Sequence, residues 1–107
     1  MKQLVWVSFD LGVKGDYEGM YEWLDRQGAK ECGDSVAFFV YDHPGNDLLQ
    51  DMKDDLNKSV ELDSKKNRVY VIRIVDGKPK GSFIFGRRRS PPWAGVAVTG
   101  EQDDDNA

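Results

Sequence analysis

The sequence is short of the residues from which many functional sites are built. It holds one cysteine, Cys32, and one histidine, His43, in 107 residues. A lone cysteine forms no intrachain disulfide, and one Cys with one His excludes a four-cysteine or Cys/His zinc site. This usage fits a reducing compartment. Long apolar runs are missing as well, so no segment is suited to spanning a bilayer. The chain passes from Lys2 directly into a strand-like run without the apolar stretch of a secretory leader, and a cytoplasmic protein away from the membrane is expected. It has no phosphate-cradling glycine motif, no zinc-protease helix motif and no nucleophile elbow.

What is present is a polarised charge pattern. The net charge is −4, and Glu101, Asp103, Asp104 and Asp105 supply four negative charges at the end, which leaves residues 1–100 neutral. Residues 42–63 carry seven acids against Lys53 and Lys58, whereas residues 77–100 carry Lys78, Lys80, Arg87, Arg88 and Arg89 and no acid. Such separation bears on partners more than the sum does.

Hydrophobic periodicity gives the order β-α-β-β-α-β-β. Strands are expected at Leu4–Phe9, Ala29–Cys32, Ser35–Tyr41, Val69–Val75 and Gly81–Phe85, all but the second rich in β-branched or aromatic residues. Asp16 can cap a helix whose apolar stripe is Tyr17, Met20, Tyr21 and Leu24, with Gly28 at its end. Asn46 or Asp47 can cap a second helix with the stripe Leu48, Leu49, Met52 and Leu56, leaving Asp51, Asp54 and Asp55 as a solvated face. Two helices at crossover length belong on one sheet face, and right-handed crossovers make the first and fourth strands neighbours. The expectation is an α+β, ferredoxin-like βαββαβ domain over residues 1–86 with an additional hairpin strand. Residues 87–107 form a basic, Pro-rich extension and a flexible, disordered acidic tail. Trp6, Phe38 and Phe39 exceed what one covered face needs, so a homodimer is expected to bury the surplus.

Several residues are candidates for chemistry. Asp10 closes the first strand at its carboxyl end, where ligand sites gather in sheets with crossovers. Its carboxylate suits Mg²⁺, a hard ion that takes oxygen ligands, or it bonds loop amides as Asp does at many strand ends. Ser35 can contact a phosphate or satisfy a local backbone group. His43 is either a general acid or base or an ordinary exposed turn residue beside Pro44. Cys32 reads as packing. Lys78, Lys80, Arg87, Arg88 and Arg89 interleave with Phe83, Phe85 and Trp93, the footprint of nucleic-acid binding. The alternative is a charge-protected edge hairpin, with Trp93 folded back on the core or docked on a protein partner.

Val7-Ser8-Phe9-Asp10-Leu11, Gly28-Ala29-Lys30-Glu31 and Ser35-Val36 followed by Phe38 together resemble the CRISPR-associated protein two family and the related virulence-associated protein D ribonucleases. The match in element order runs to about Val75. The resemblance implies a ferredoxin-like homodimer acting as a Mg²⁺-dependent nuclease on RNA or DNA, with Asp10 as the metal-binding catalytic carboxylate paired across the dimer and Ser35 near the scissile phosphate. A non-catalytic dimeric module binding nucleic acid or protein is the alternative expectation.

Overall fold

The computed structural model describes residues 1–97, so the acidic tail falls outside the described residues. The elements are β1 (Lys2–Asp10), α1 (Tyr17–Arg26), β2 (Lys30–Gly33), β3 (Val36–Asp42), α2 (Leu48–Ser59), β4 (Arg68–Val75) and β5 (Lys78–Phe85). The five strands make one sheet in the order β2-β3-β1-β4-β5, and every neighbouring pair is antiparallel. The first and fourth strands are indeed neighbours, and β5 returns from β4 as a hairpin. Asp76 and Gly77 both take positive φ, 52° and 77°, as a two-residue hairpin turn that follows strand twist requires.

Strand alternation divides the side chains of β1. Val5, Val7 and Phe9 enter the core, while Leu4, Trp6, Ser8 and Asp10 stand on the other face. Both helices cover the first face. Met20, Trp23 and Leu24 of α1 and Leu48, Met52 and Leu56 of α2 join Phe39, Tyr41, Val69 and Val71 in one buried cluster. Asp16 and Asp47 cap the helices by accepting from the Gly19 and Gln50 amides, at 2.9 and 3.2 Å. Gly19 would weaken an isolated helix by about 1 kcal/mol relative to alanine. It is buried, and a Cβ there would come within 2.8 Å of the Ser59 carbonyl oxygen, so the missing side chain lets α1 approach the end of α2.

Three expectations are corrected on the covered side. The α1 stripe is rotated: Trp23 is buried, whereas Tyr21 is exposed. His43 is buried, not an open turn residue, with Nδ1 2.8 Å from Asp51 Oδ2. The acidic face of α2 is partly inside. Asp51 also accepts from the Gly45 amide, and Asp55 Oδ2 accepts from Trp23 Nε1 at 3.0 Å and from the Tyr41 hydroxyl at 3.2 Å. These carboxylates satisfy donors carried in by bulky aromatic residues, as burial of an N–H or O–H demands. Burial together with Asp55 raises the Tyr41 phenol far above its ordinary range. Cys32, read as packing, is exposed on the edge strand β2.

Candidate functional site

The sheet face without helices carries Leu4, Trp6, Phe38, Val40, Tyr70, Ile72, Ile74 and Phe83, all exposed or half-buried. Its composition changes along the strands. Leu4, Val40 and Ile74 make one end aliphatic, and Tyr70, Phe83, Asp10 and Arg68 make the other aromatic and charged.

The charged end is held by its neighbours. Asn67 is buried between the loop before β4 and the end of β1, donating from Nδ2 to the Leu11 carbonyl at 2.9 Å and accepting from the Asp63 amide at 2.8 Å. This fixes the start of β4 beside β1, where Arg68 lies opposite Asp10. Arg68 Nη2 donates to Asp10 Oδ2 at 2.5 Å, and the Gly12 amide donates to Asp10 Oδ1 at 3.1 Å. The Gly12 amide first, then Arg68, hold the Asp10 carboxyl below its ordinary value, with a smaller contribution from Arg88.

Tyr70 and Phe83 face each other across β4 and β5, edge to face with centroids 4.8 Å apart. The Tyr70 ring lies over Gly81, where any Cβ would collide with the phenol. Glycine at 81 therefore makes room for the Tyr70 ring, and Phe83 meets it edge to face. After β5 the chain turns at Gly86, whose φ is +62° and whose missing Cβ makes room for the Asn67 carbonyl. The segment that follows crosses the open face, with a turn in which the Ala94 amide donates to the Pro91 carbonyl at 3.0 Å. Pro91, Pro92 and Trp93 then form the outer wall of a cavity of about 590 Å³, whose floor includes Tyr70, Phe83, Asp10 and Arg68, with Arg88 at its side. Trp93 keeps 74% of its surface exposed, so it is not folded into the core.

A second groove, of about 900 Å³, opens on the other side of the same strand end. Lys53, Lys65 and Arg87 supply its charge, Phe83 and Phe85 its apolar wall, and no acid lines it among the described residues. The Lys53 ammonium sits 5.7 Å from the Phe85 ring centre. Phe83 borders both spaces.

The residues singled out in the sequence are only partly brought together. Arg87, Arg88 and Trp93 meet at this strand end, and Arg89 is exposed beside them. Lys78 and Lys80 are elsewhere. They begin β5, roughly 23 Å (Lys78) and roughly 17 Å (Lys80) from its far end at about 3.3 Å per residue. They also face the helix-bearing side, since Lys80 is opposite Arg73 and Arg73 is opposite core residue Val5. Ser35, at φ 58°, accepts from the Phe9 amide through its carbonyl at 3.0 Å. It lines a cavity of about 310 Å³ beside α1, on the opposite face from Asp10. Lys53 and Lys65 were missed: in sequence they lie within and beyond an acidic stretch, and nothing local signals that the sheet edge will gather them with Arg87.

The donor set at Asp10 does not suit Mg²⁺. The Arg68 guanidinium bonded to Oδ2 sets a positive charge that opposes a dication on the same carboxylate. No group of three or more His, Cys, Asp or Glu positioned to hold a metal occurs among the described residues. No helix among the described residues is long and apolar enough to cross a membrane. Compared with known proteins, the chain matches no family model, no curated protein and no solved structure.

Proposed function

We propose that the chain is a non-catalytic, dimeric, ferredoxin-like module that binds single-stranded nucleic acid at the carboxyl end of β5. One observation carries this reading: an aromatic cavity and a groove lined by Lys53, Lys65 and Arg87 adjoin there, with Phe83 in the wall of both. Single strands are held by this pairing of a stacking platform for bases with a cationic track for phosphates. The ferredoxin-like reading is supported by the position of β1 between β3 and β4 and by the two helices sharing one face, with β5 as an addition. The aliphatic end of the open face supports self-association. Leu4, Val40 and Ile74 are exposed there but make a small patch, so the dimer is weak and concentration-dependent.

The observations at Asp10 and Ser35 favour binding over cleavage. Asp10 is neutralised by Arg68, and Ser35 is on the other face of the sheet. The test is a titration of labelled single- and double-stranded RNA and DNA with Mg²⁺ and with EDTA, beside Asp10→Asn and the double variant Tyr70→Ala/Phe83→Ala. Binding of intact single strands, insensitive to EDTA and lost in the aromatic double variant, supports the proposal. Mg²⁺-dependent product that disappears in Asp10→Asn overturns it in favour of a nuclease. Sedimentation across a concentration series, with Val40→Glu as control, tests the dimer; a monomer at every concentration removes that part.

A further inference from the structure

The geometry points to guanine as the base taken by the aromatic cavity, with Asp10 and Arg68 reading its edge between Trp93 and the Tyr70/Phe83 platform. This rests on the nucleic-acid reading above and names what its stacking site selects.

The chemistry follows from lone pairs and donors left over by the Asp10–Arg68 pair. A carboxylate has about four acceptor sites on two oxygens. The Gly12 amide uses one on Oδ1 and Arg68 uses one on Oδ2, so each oxygen retains a free acceptor position. The Asp10 side chain is 56% exposed and forms part of the cavity floor. Two adjacent free acceptors match a base that presents two adjacent donors. Unpaired guanine does so with N1–H and its exocyclic N2 amine. Adenine and cytosine present one exocyclic amine beside a ring acceptor, and uracil one N–H between two carbonyls. Arg68 spends one N–H on Asp10 and has further donors in its planar fork, suited to the O6 and N7 acceptors of guanine. A joined Asp–Arg pair thus offers acceptors beside donors, complementary to the donor–acceptor sequence of guanine.

The rest of the cavity suits a single nucleotide. Its volume of about 590 Å³ is within the range of small-molecule sites. Tyr70 is held over Gly81 and edge-on to Phe83, and Trp93 stands on the outer wall, so a planar ring can enter between aromatic surfaces. Arg88 lines the same cavity and offers a cation to the attached phosphate.

Calorimetric titration of the full chain with GMP, AMP, CMP and UMP tests the inference. GMP is expected to bind roughly 5- to 150-fold tighter than the others, the discrimination typical of one bidentate base contact. Asp10→Asn should abolish the preference for GMP over AMP. Trp93→Ala should weaken all four alike. Arg68→Gln is a second variant that removes the preference by another route, and circular dichroism establishes that each variant is folded. Equal binding of the four nucleotides, absence of binding by all four, or a GMP preference that survives both Asp10→Asn and Arg68→Gln overturns the inference. A parallel titration with a uridine-only strand and the same strand carrying one guanosine separates it from the wider reading. Strand binding without a gain from guanosine leaves the module a nucleic-acid binder and refutes guanine selection. GMP selection without strand binding does the reverse.

Discussion

Replacing Lys65 and Arg87 by glutamine should halve the salt sensitivity of single-strand binding, whereas replacing Lys78 and Lys80 should leave it nearly unchanged. Both pairs remove two positive charges, so they are equivalent by composition. They differ in position: Lys65 and Arg87 line the basic groove at the carboxyl end of β5, and Lys78 and Lys80 sit at its start on the helix-bearing side. Four cations, Lys53, Lys65, Arg87 and Arg88, border the two spaces. With four phosphates neutralised, the logarithm of affinity should fall with the logarithm of salt concentration at a slope of about −2.8, or roughly 50-fold between 50 and 200 mM. With two of the four removed, the slope becomes about −1.4 and the loss over that range roughly sevenfold. Fluorescence anisotropy of a labelled single strand, repeated across that salt range, gives both slopes. Two results refute the placement of the phosphate track: a Lys78/Lys80 variant that flattens the slope as much as the Lys65/Arg87 variant, or a Lys65/Arg87 variant indistinguishable from the parent.

Other predictions concern the scaffold. Asp55→Ala leaves the buried Trp23 N–H and the Tyr41 hydroxyl without their shared acceptor, and urea unfolding should show a loss of about 1–3 kcal/mol. Asp55→Asn, which keeps an acceptor oxygen, should lose less, and equal losses would falsify the role given to that oxygen. Gly81→Ala should displace the Tyr70 ring and weaken single-strand binding with little change in secondary structure, read by anisotropy beside circular dichroism. Asp10 and Asp51 have carboxyl pKa values below the ordinary 3.8, through the Gly12 amide and Arg68 for one and His43 for the other. A depressed folded pKa contributes stability above the unfolded value and loses it as pH falls through the folded one. Urea midpoints should therefore drop as pH falls below about 3.8, and Asp51→Asn should make that drop shallower; an unchanged acid limb counts against the His43–Asp51 link.

Much of the fold was legible because its elements announce themselves locally. The nearly continuous run of β-branched residues in Val69–Val75 and the capped stripe from Leu48 to Leu56 need no distant information. The Asp76-Gly77 hairpin is similarly a matter of two residues able to take positive φ. What escaped the sequence reading depends on neighbours far along the chain. Trp23 is inward because Phe39 and Tyr41 receive its ring and Asp55 its N–H, although the helical stripe suggested Tyr21 instead. His43 looked like a turn residue because the turn is local, but Asp51, one helical turn into α2, draws it inside. The candidate site was half legible. Arg87, Arg88 and Trp93 are contiguous enough to be noticed, while Lys53 joins them from α2 and Lys65 from the segment before β4, through folding alone. Lys78 and Lys80 seemed to belong because they are close in sequence, and the rise of an extended strand carries them away.

The sheet order also has a consequence for synthesis. β1 is made first, yet it is paired on both sides, and Val5 finds Arg73 on its second side only near the end of the domain. At about 5–20 residues per second, that partner arrives several seconds after β1 has left the ribosome. Until then Leu4-Val5-Trp6-Val7-Ser8-Phe9 has an open strand edge during translation, and the nascent chain presents a β-prone segment to chaperones or to other nascent chains before its own β4 exists.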